Sequence, residues 1–556
     1  MEKLAMQKVK GKLASAMPDL QIGGMEKSQT QEHIASIHAL ARMKRKEKGG
    51  VIIQFIDCMK CFDKQLLEDT LYSAVTAGAT VKELRVMRQL HDNTVIQLVG
   101  DPTGRKEVIK NSTGQGTNWA PLSCSLSMGQ TIKKESDAFQ KDNIKVGDLA
   151  IDPLMFVDDA TKISDNTESA RQGGVIFTKA LDELGLHAHP DKSAQVIIGS
   201  KDFKGQVRKE LSDSPVKVQG WDLKESECET YLGVEISSAG LRDSINRSID
   251  KRCNAAIVKE VQISKVLQED MMDKIGWIES VKTLFNSIII STLTYGTAAF
   301  AGMTKKNYDQ LENTMKTILF RMLKLSKFAH YAAVLYECNM IRIRHIVNQL
   351  KIGFVRNILQ DKAKGFCYEI LLREEILYPG TGLLAEAREL CEKYGIPDVT
   401  RFAVEKDLIK EKIWDFGRIE VWKEALKNKR VPISFSHQKQ GRPYMSLPKY
   451  DSRLYFSYRI GELQFKENRR GEYKKKFGNT QCFADGCTQP DTLEHALACK
   501  GYQTKWNKDP SWIFWEDMNN IKIFIDYLKR LDRERARFFY LPLLYRPGLK
   551  EVASRE

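Results

Sequence analysis

Apolar and polar positions change rhythm along the chain, and each change predicts a different element. From Gln31 to about Lys48 the apolar positions recur at helical spacing, and the segment ends in the charged run MKRKEKGG, whose Gly49 and Gly50 make a helix stop. VIIQFID follows. This β-branched and aromatic run predicts a strand buried on both faces that delivers Asp57 at its end. Residues 64–99 read as helical, and 111–130 as a polar, glycine-bearing loop feeding a segment with Leu and Met. Near 154 the pattern LMF-VDD-ATKIS predicts two strands joined by a tight hairpin with carboxylates at its tip. AQVIIG at 194–199 and YLGVEIS at 231–237 read as further strands.

Beyond 240 the pattern turns helical. Leu241, Ile245, Ile249, Cys253 and Ile257 recur every four residues and predict an amphipathic stripe, and helical patterns continue to about 425. The most apolar stretch, Leu284 to Met303, is interrupted by Asn286, Ser287, Ser291, Thr292, Thr294 and Thr297. In lipid those hydroxyls would be stranded, so the stretch predicts a buried helix and not a membrane span. The remainder is more aromatic, contains proline and is basic, with Cys and His clustered from 482 to 499. No internal repeat or low-complexity tract stands out.

Composition narrows the class. With 556 residues, 42% hydrophobic and 29% charged, the chain has room for three or more domains and is not disordered, collagenous or a disulfide framework. Eleven scattered cysteines and an N-terminus without an apolar signal core predict free thiols in a reducing compartment and a soluble, non-secreted protein. The net charge is +15, but residues 1–250 carry 34 basic and 35 acidic side chains against 53 and 37 in residues 251–556. A polyanionic partner is therefore expected on the second half.

Asp57, Asp158 and Asp159 each sit at the end or turn of an apolar strand, where a carboxylate is costly unless something pairs with it. Carboxylates gathered from adjacent strands repel, and divalent cations are the usual remedy. Two Mg²⁺ ions held ~3.5 to 4 Å apart suit nucleotidyl transfer. A lone Asp-Asp pair is more often a surface turn, so the surrounding motifs decide its weight. Cys58 and Cys61, a CxxC inside the buried segment, read as packing residues.

FIDCMKCFD, TGQGTNWAPLS, FVDD, HPDKS and YLGVEIS, preceded by QIGGMEKSQTQEHI and followed by LTYG, occur in that order between about residues 20 and 340. This series resembles the reverse transcriptases, specifically those of non-LTR retrotransposons. The resemblance implies an α+β right-hand polymerase: partial fingers over 1–50, a palm with interleaved fingers over 51–238, a helical thumb over 239–330, a helical connector over 331–450 and a basic C-terminal region over 451–556. It makes Asp57 and Asp158 ligands of two Mg²⁺ ions with Asp159 as acidic partner. Lys192 becomes the proton donor to leaving pyrophosphate, Phe62 the steric gate against a 2′-hydroxyl, and Gln115 with Gly116 neighbours of the incoming nucleotide and template base. An RNA template, a DNA primer or target, and dNTPs follow as partners. The second motif departs from the family, with Cys124 where a proline usually follows the serine. The family's basic fingers strand would precede MEKLAMQKVKGKL, so the chain is expected to lack it.

Cys482, Cys487, His495 and Cys499 form C-x4-C-x7-H-x3-C. Three thiolates and an imidazole within 18 residues can close a tetrahedral, structural Zn²⁺ shell. The spacing is wider than a retroviral knuckle and resembles the CCHC element downstream of non-LTR polymerases. Lys466, Arg469, Arg470, Lys474, Lys475 and Lys476 interleave with Phe465, Tyr473 and Phe477, a pattern suited to phosphate contacts and base stacking. No PD…D/E-x-K endonuclease set follows the cluster, and no endonuclease is expected before the palm. Two other readings stay open: a catalytically inactive nucleic-acid-binding remnant of such an element, and a group II intron maturase, whose C-terminal regions look unlike this one.

Overall fold

GVIIQFI forms strand β1, Gly50–Ile56, and every one of its residues is buried. The computed structural model describes residues 11–18, 20–23, 29–91, 95–97, 106–108, 120–139, 143–269, 276–361, 365–427, 442–463, 481–482, 484, 487–502 and 518–538. β1 lies inside a four-stranded sheet with β2 (Leu154–Phe156), β3 (Asp159–Ser164) and β4 (Ala194–Gly199), in the order β2-β3-β1-β4. All neighbours are antiparallel, with Ile56 opposite Ala160 and Phe156 opposite Asp159. Helix α1, Thr30–Glu47, packs across β1 and β4. Helix α3, Thr167–Glu183, packs across β1 and β3 on the other face, and helix α2, Ala120–Asp137, packs on α3. Covering both faces is why β1 is apolar throughout and not alternating. The one polar residue of β1, Gln54, is fully buried and donates to the Ala170 carbonyl of α3 at 2.9 Å.

The segment read as helical over 64–99 is broken. It forms Cys61–Lys64, Leu67–Thr76 and Val81–His91, then a strand, Val95–Gln97, paired with Lys106–Val108. The second break is chemical. Thr80 and Glu83 form a capping box, the Thr80 N–H donating to Glu83 Oε2 at 2.7 Å and the Glu83 N–H to Thr80 Oγ1 at 3.3 Å, which starts a new helix. YLGVEIS splits into a hairpin, Cys228–Tyr231 with Val234–Ser237, around Leu232 and Gly233 at φ of 46° and 77°.

The long helix Leu241–Glu269 buries Ile245, Ile249 and Cys253 but exposes Ile257 at 38%, while Ala256 and Ile263 take the buried positions. A strict four-residue repeat drifts off a face of period 3.6, so the buried stripe moves to other residues. Leu284–Met303 is not one helix. A helix ending at Leu284 runs into a π-helical turn, Phe285–Ile290, then Ser291–Thr294, and breaks at Gly296, whose φ is +81°. Ser287, Thr292 and Thr294 donate to the carbonyls four residues earlier, which satisfies their hydroxyls locally. Among the described residues no helix is long and apolar enough to cross a membrane.

Two units emerge, each discontinuous in sequence. The first comprises 1–248, 296–303 and 351–404, and the second 249–295, 304–350 and 405–556. In the first, the helix Phe366–Leu377 packs on α1 and is fastened by Arg42, which donates to both carboxylate oxygens of Glu374 at 2.6 and 2.9 Å. In the second, fully buried Glu337 is paired with Arg459 and Arg442 at 3.2 and 3.3 Å.

Candidate active site

Asp57 stands one residue past β1, where the strand has left the core and its side chain is one-third exposed. Its backbone is fixed on both sides by the 187–193 segment: its N–H is bonded to Ser193 Oγ at 3.0 Å and its carbonyl to the His189 N–H at 2.8 Å. Ser193 is a residue the sequence reading passed over, and its only signal there was its place beside Lys192. The same turn brings Lys192 Nζ to 3.8 Å from Asp57 Oδ2.

Asp158 lies in the β2–β3 turn and Asp159 opens β3, opposite Phe156 and next to Ala160, which pairs with Ile56, the residue before Asp57. Between β2 and the two aspartates lies Val157 at φ +60°, a left-handed conformation rare for a β-branched residue. Burial pushes Asp159 up to about 6, and the charges of Asp158 and Asp57 add to the effect. Burial also raises Asp158, opposed by a hydrogen bond from its own backbone and reinforced by Asp57. Among the described residues Lys192 is the one cation in an ion pair with any of the three. Three carboxylates with so little compensating charge are oxygen donors of the kind divalent cations bind, but among the described residues the set whose ligand atoms are gathered closely enough to hold an ion is the Cys/His group of the second unit, not this trio.

Phe62 is half-buried in the short helix Cys61–Lys64 and packs against the core cluster that includes Ile56, Cys58 and Cys61. Cys58 and Cys61 are buried, and Cys61 Sγ lies 3.0 Å from Cys124 Sγ of α2, so both are packing residues. Gln115 and Gly116 lie outside the described residues, as do Lys466, Arg469, Arg470, Lys474, Lys475 and Lys476.

In the second unit the sulfur and nitrogen atoms of Cys482, Cys487, His495 and Cys499 all lie within 4.8 Å of one another. Sγ of Cys499 is 3.8 Å from that of Cys482 and 4.0 Å from that of Cys487, and Cys487 Sγ is 3.2 Å from His495 Nε2. Tetrahedral bonds of ~2.3 Å set sulfurs about 3.8 Å apart, so the donor set fits Zn²⁺. Thr492 Oγ1 accepts from the His495 N–H at 3.0 Å and caps the helix Leu493–Ala498 that presents the imidazole. Behind the cluster, the helix Met518–Phe538 contributes Arg535, fully buried and bidentate to Asp491 at 2.8 and 3.1 Å, and Tyr527, bonded to the Ala496 carbonyl at 3.0 Å.

Among solved structures the chain is similar to apo telomerase from Candida tropicalis, with 12% identity over 74% of this chain and 61% of that one and a TM-score of 0.34. It is also similar to telomerase from Candida albicans in complex with a fragment of telomeric RNA, with 11% identity, 72% and 56% coverage and a TM-score of 0.37. The matched part spans less than two thirds of each of these telomerase chains. No curated protein matches. The sequence from residue 1 to 236, which folds the three aspartates and Lys192 together, matches the family model of the reverse transcriptase (RNA-dependent DNA polymerase) domain.

Proposed function

We propose that this chain is an RNA-directed DNA polymerase of the non-LTR retrotransposon type, which joins deoxynucleotides to a primer 3′-hydroxyl on an RNA template. Its setting would be target-primed copying of an element's RNA at a chromosomal nick. The observation that carries the reading is the meeting of Asp57, Asp158, Asp159 and Lys192 at one end of the sheet. In this reading the sheet and its helices are the palm, the helices after 239 the thumb and connector, and the end of the chain a zinc knuckle.

Asp57 and Asp158, with Asp159 beside them, would hold two Mg²⁺ ions, which when bound supply activation of the attacking hydroxyl and stabilisation of the departing pyrophosphate. Lys192, largely exposed and 3.8 Å from Asp57 Oδ2, would give a proton to pyrophosphate as it leaves. Phe62 would close the pocket to a ribose 2′-hydroxyl, and Gln115 and Gly116 would border the incoming nucleotide. The remaining acceleration comes from holding the two reacting groups in line. Cys482, Cys487, His495 and Cys499 would hold one structural Zn²⁺, and the basic cluster at 466–476 would grip phosphates.

The test is extension of oligo(dT) on poly(rA) by the full chain in Mg²⁺, together with binding of the same duplex. Incorporation is expected, and Asp158→Ala or Asp159→Ala should abolish it while leaving affinity largely unchanged. Binding without incorporation in the wild type would leave a nucleic-acid-binding remnant in place of an enzyme. Loss of affinity in the variants would make the aspartates structural.

A further inference from the structure

The turn that carries Asp158 is held from outside the sheet. Residues 20–23 run along the free edge of β2, with the Ile22 N–H donating to the Met155 carbonyl at 3.1 Å and the Met155 N–H to the Leu20 carbonyl at 2.9 Å. The side chain of Gln21, 1% exposed, then reaches over the turn. Its Nε2 donates to the Val157 carbonyl at 2.9 Å, and its Oε1 accepts from the Val157 N–H at 3.0 Å and the Gly23 N–H at 3.0 Å. One amide thus satisfies both backbone groups of the residue that immediately precedes Asp158.

That residue needs the help. A β-branched side chain at φ +60° is strained. Two buried hydrogen bonds to its backbone offset that strain, and breaking either would leave a buried backbone group unpaired. The clamp therefore favours the turn in this conformation. Its surroundings fit it closely. A Cβ on Gly23 would lie 2.1 Å from Val157 N, so only glycine permits the approach. Ser125 of α2 donates to the Gly23 carbonyl at 2.8 Å, and a Cβ on Gly129 of the same helix would press on Gln21 Cγ at 3.2 Å.

We infer that Gln21 is a positioning residue: by locking the left-handed peptide of Val157 it aims the Asp158 and Asp159 carboxylates toward Asp57, so that the cation site is formed before a cation arrives. The inference rests on the proposed reading of the three aspartates as a divalent-cation site. An amide is required because it offers a donor and an acceptor in one plane. Ionised Glu of the same length keeps only the acceptor, and Met offers neither.

The test uses the full chain as wild type, Gln21→Met, Gln21→Glu and Asp158→Ala, with Mn²⁺ binding read from the electron paramagnetic resonance signal of the free ion. Circular dichroism in EDTA reads folding. Wild type is expected to bind Mn²⁺ in an Asp158-dependent manner. Gln21→Met should weaken that binding by about tenfold, the low end of what loss of an orienting partner does to a metal site, with Gln21→Glu between them. Adding Val157→Asn, a residue that tolerates the left-handed region, to Gln21→Met should restore part of the affinity, which a merely structural role for Gln21 would not predict. Should Gln21→Met not fold, Gln21→Glu carries the comparison. Unchanged Mn²⁺ affinity in a folded Gln21 variant overturns the positioning role. Absence of Asp158-dependent binding in the wild type overturns instead the reading of the aspartates.

Discussion

Replacing Asp159 with Asn separates what this carboxylate costs the fold from what it contributes to the site. Burial, with the charges of Asp158 and Asp57 added, pushes Asp159 up to about 6, against a usual carboxylate value near 4. The folded protein therefore holds this proton more tightly than the unfolded chain does. Stability falls as pH rises from about 4 to about 6, and the full penalty is present above that window. Two pKa units at ~1.4 kcal/mol each give about 3 kcal/mol, which partial solvent access reduces to between about 1 and 3 kcal/mol. Asp159→Asn, neutral at every pH, should accordingly be more stable than wild type by that amount at pH 7.5 in EDTA, and no more stable below pH 4. Urea unfolding followed by circular dichroism at pH 4, 5.5 and 7.5 reads the difference. Saturating Mg²⁺ should narrow or reverse the ranking, because an ion that binds the native state stabilises it by mass action. An Asn variant less stable than wild type at pH 7.5 in EDTA would refute the electrostatic argument and make Asp159 a structural residue.

Other outcomes test other parts of the account. His38 is fully buried on α1, stacked on Phe300, with neither ring nitrogen hydrogen-bonded among the described residues, and burial together with Arg42 pushes it down to about 3. Its stabilisation is lost as pH falls from about 6.5 toward 3, at a cost of about 2 kcal/mol by pH 5. His38→Leu should remove that part of the acid limb, and an unchanged slope between pH 7 and 5 would contradict it. Asp491→Ala removes the bidentate carboxylate partner of buried Arg535 and should cost about 3 to 5 kcal/mol next to the Cys/His cluster, read as faster loss of zinc to a chelator. Zinc release at the wild-type rate would count against that buttress. Zinc itself is expected at about one per chain and at none in the Cys482→Ser, Cys487→Ser double variant. Neutralising Lys466, Arg469, Arg470, Lys474, Lys475 and Lys476 should flatten the salt dependence of nucleic-acid binding by about 0.9 in log–log slope for each phosphate that is no longer neutralised, and an unaltered slope would make the cluster a solvated loop.

What could be read from the sequence was whatever is decided locally. β1 needed only a short β-branched and aromatic run interrupted by Gln54 alone, and the hairpin at 154–164 only a break of two acids between strand-forming runs. The Cys/His set was visible because its four donors lie within 18 residues and need no distant partner. The misreadings share a cause in the competition between pattern and backbone chemistry. After the helix Leu67–Thr76, Gly78 at φ +79° and the Thr80–Glu83 capping box start a new helix where apolar spacing alone would have continued the old one, and Gly296 broke a stretch read as one buried helix. Ile257 continued a repeat of four that an α-helix of period 3.6 could not keep buried. Asp57 and Lys192 are 135 positions apart, and no spacing rule brings them together; only the ordered motifs suggested that they meet. Gln21 was the least legible. Its role depends on a left-handed peptide 136 residues away, and a buried glutamine has no periodicity of its own.

The central claim is that Asp57, Asp158 and Asp159 form a metal-dependent site for nucleotidyl transfer. The most direct measurement is incorporation of a single deoxynucleotide into a DNA primer annealed to RNA, with Mg²⁺ titrated, for wild type and for Asp57→Asn. Wild type is expected to show saturable, Mg²⁺-dependent incorporation, and Asp57→Asn none at equal duplex affinity. Equal incorporation by the two proteins, or incorporation by the wild type in EDTA, would contradict the claim.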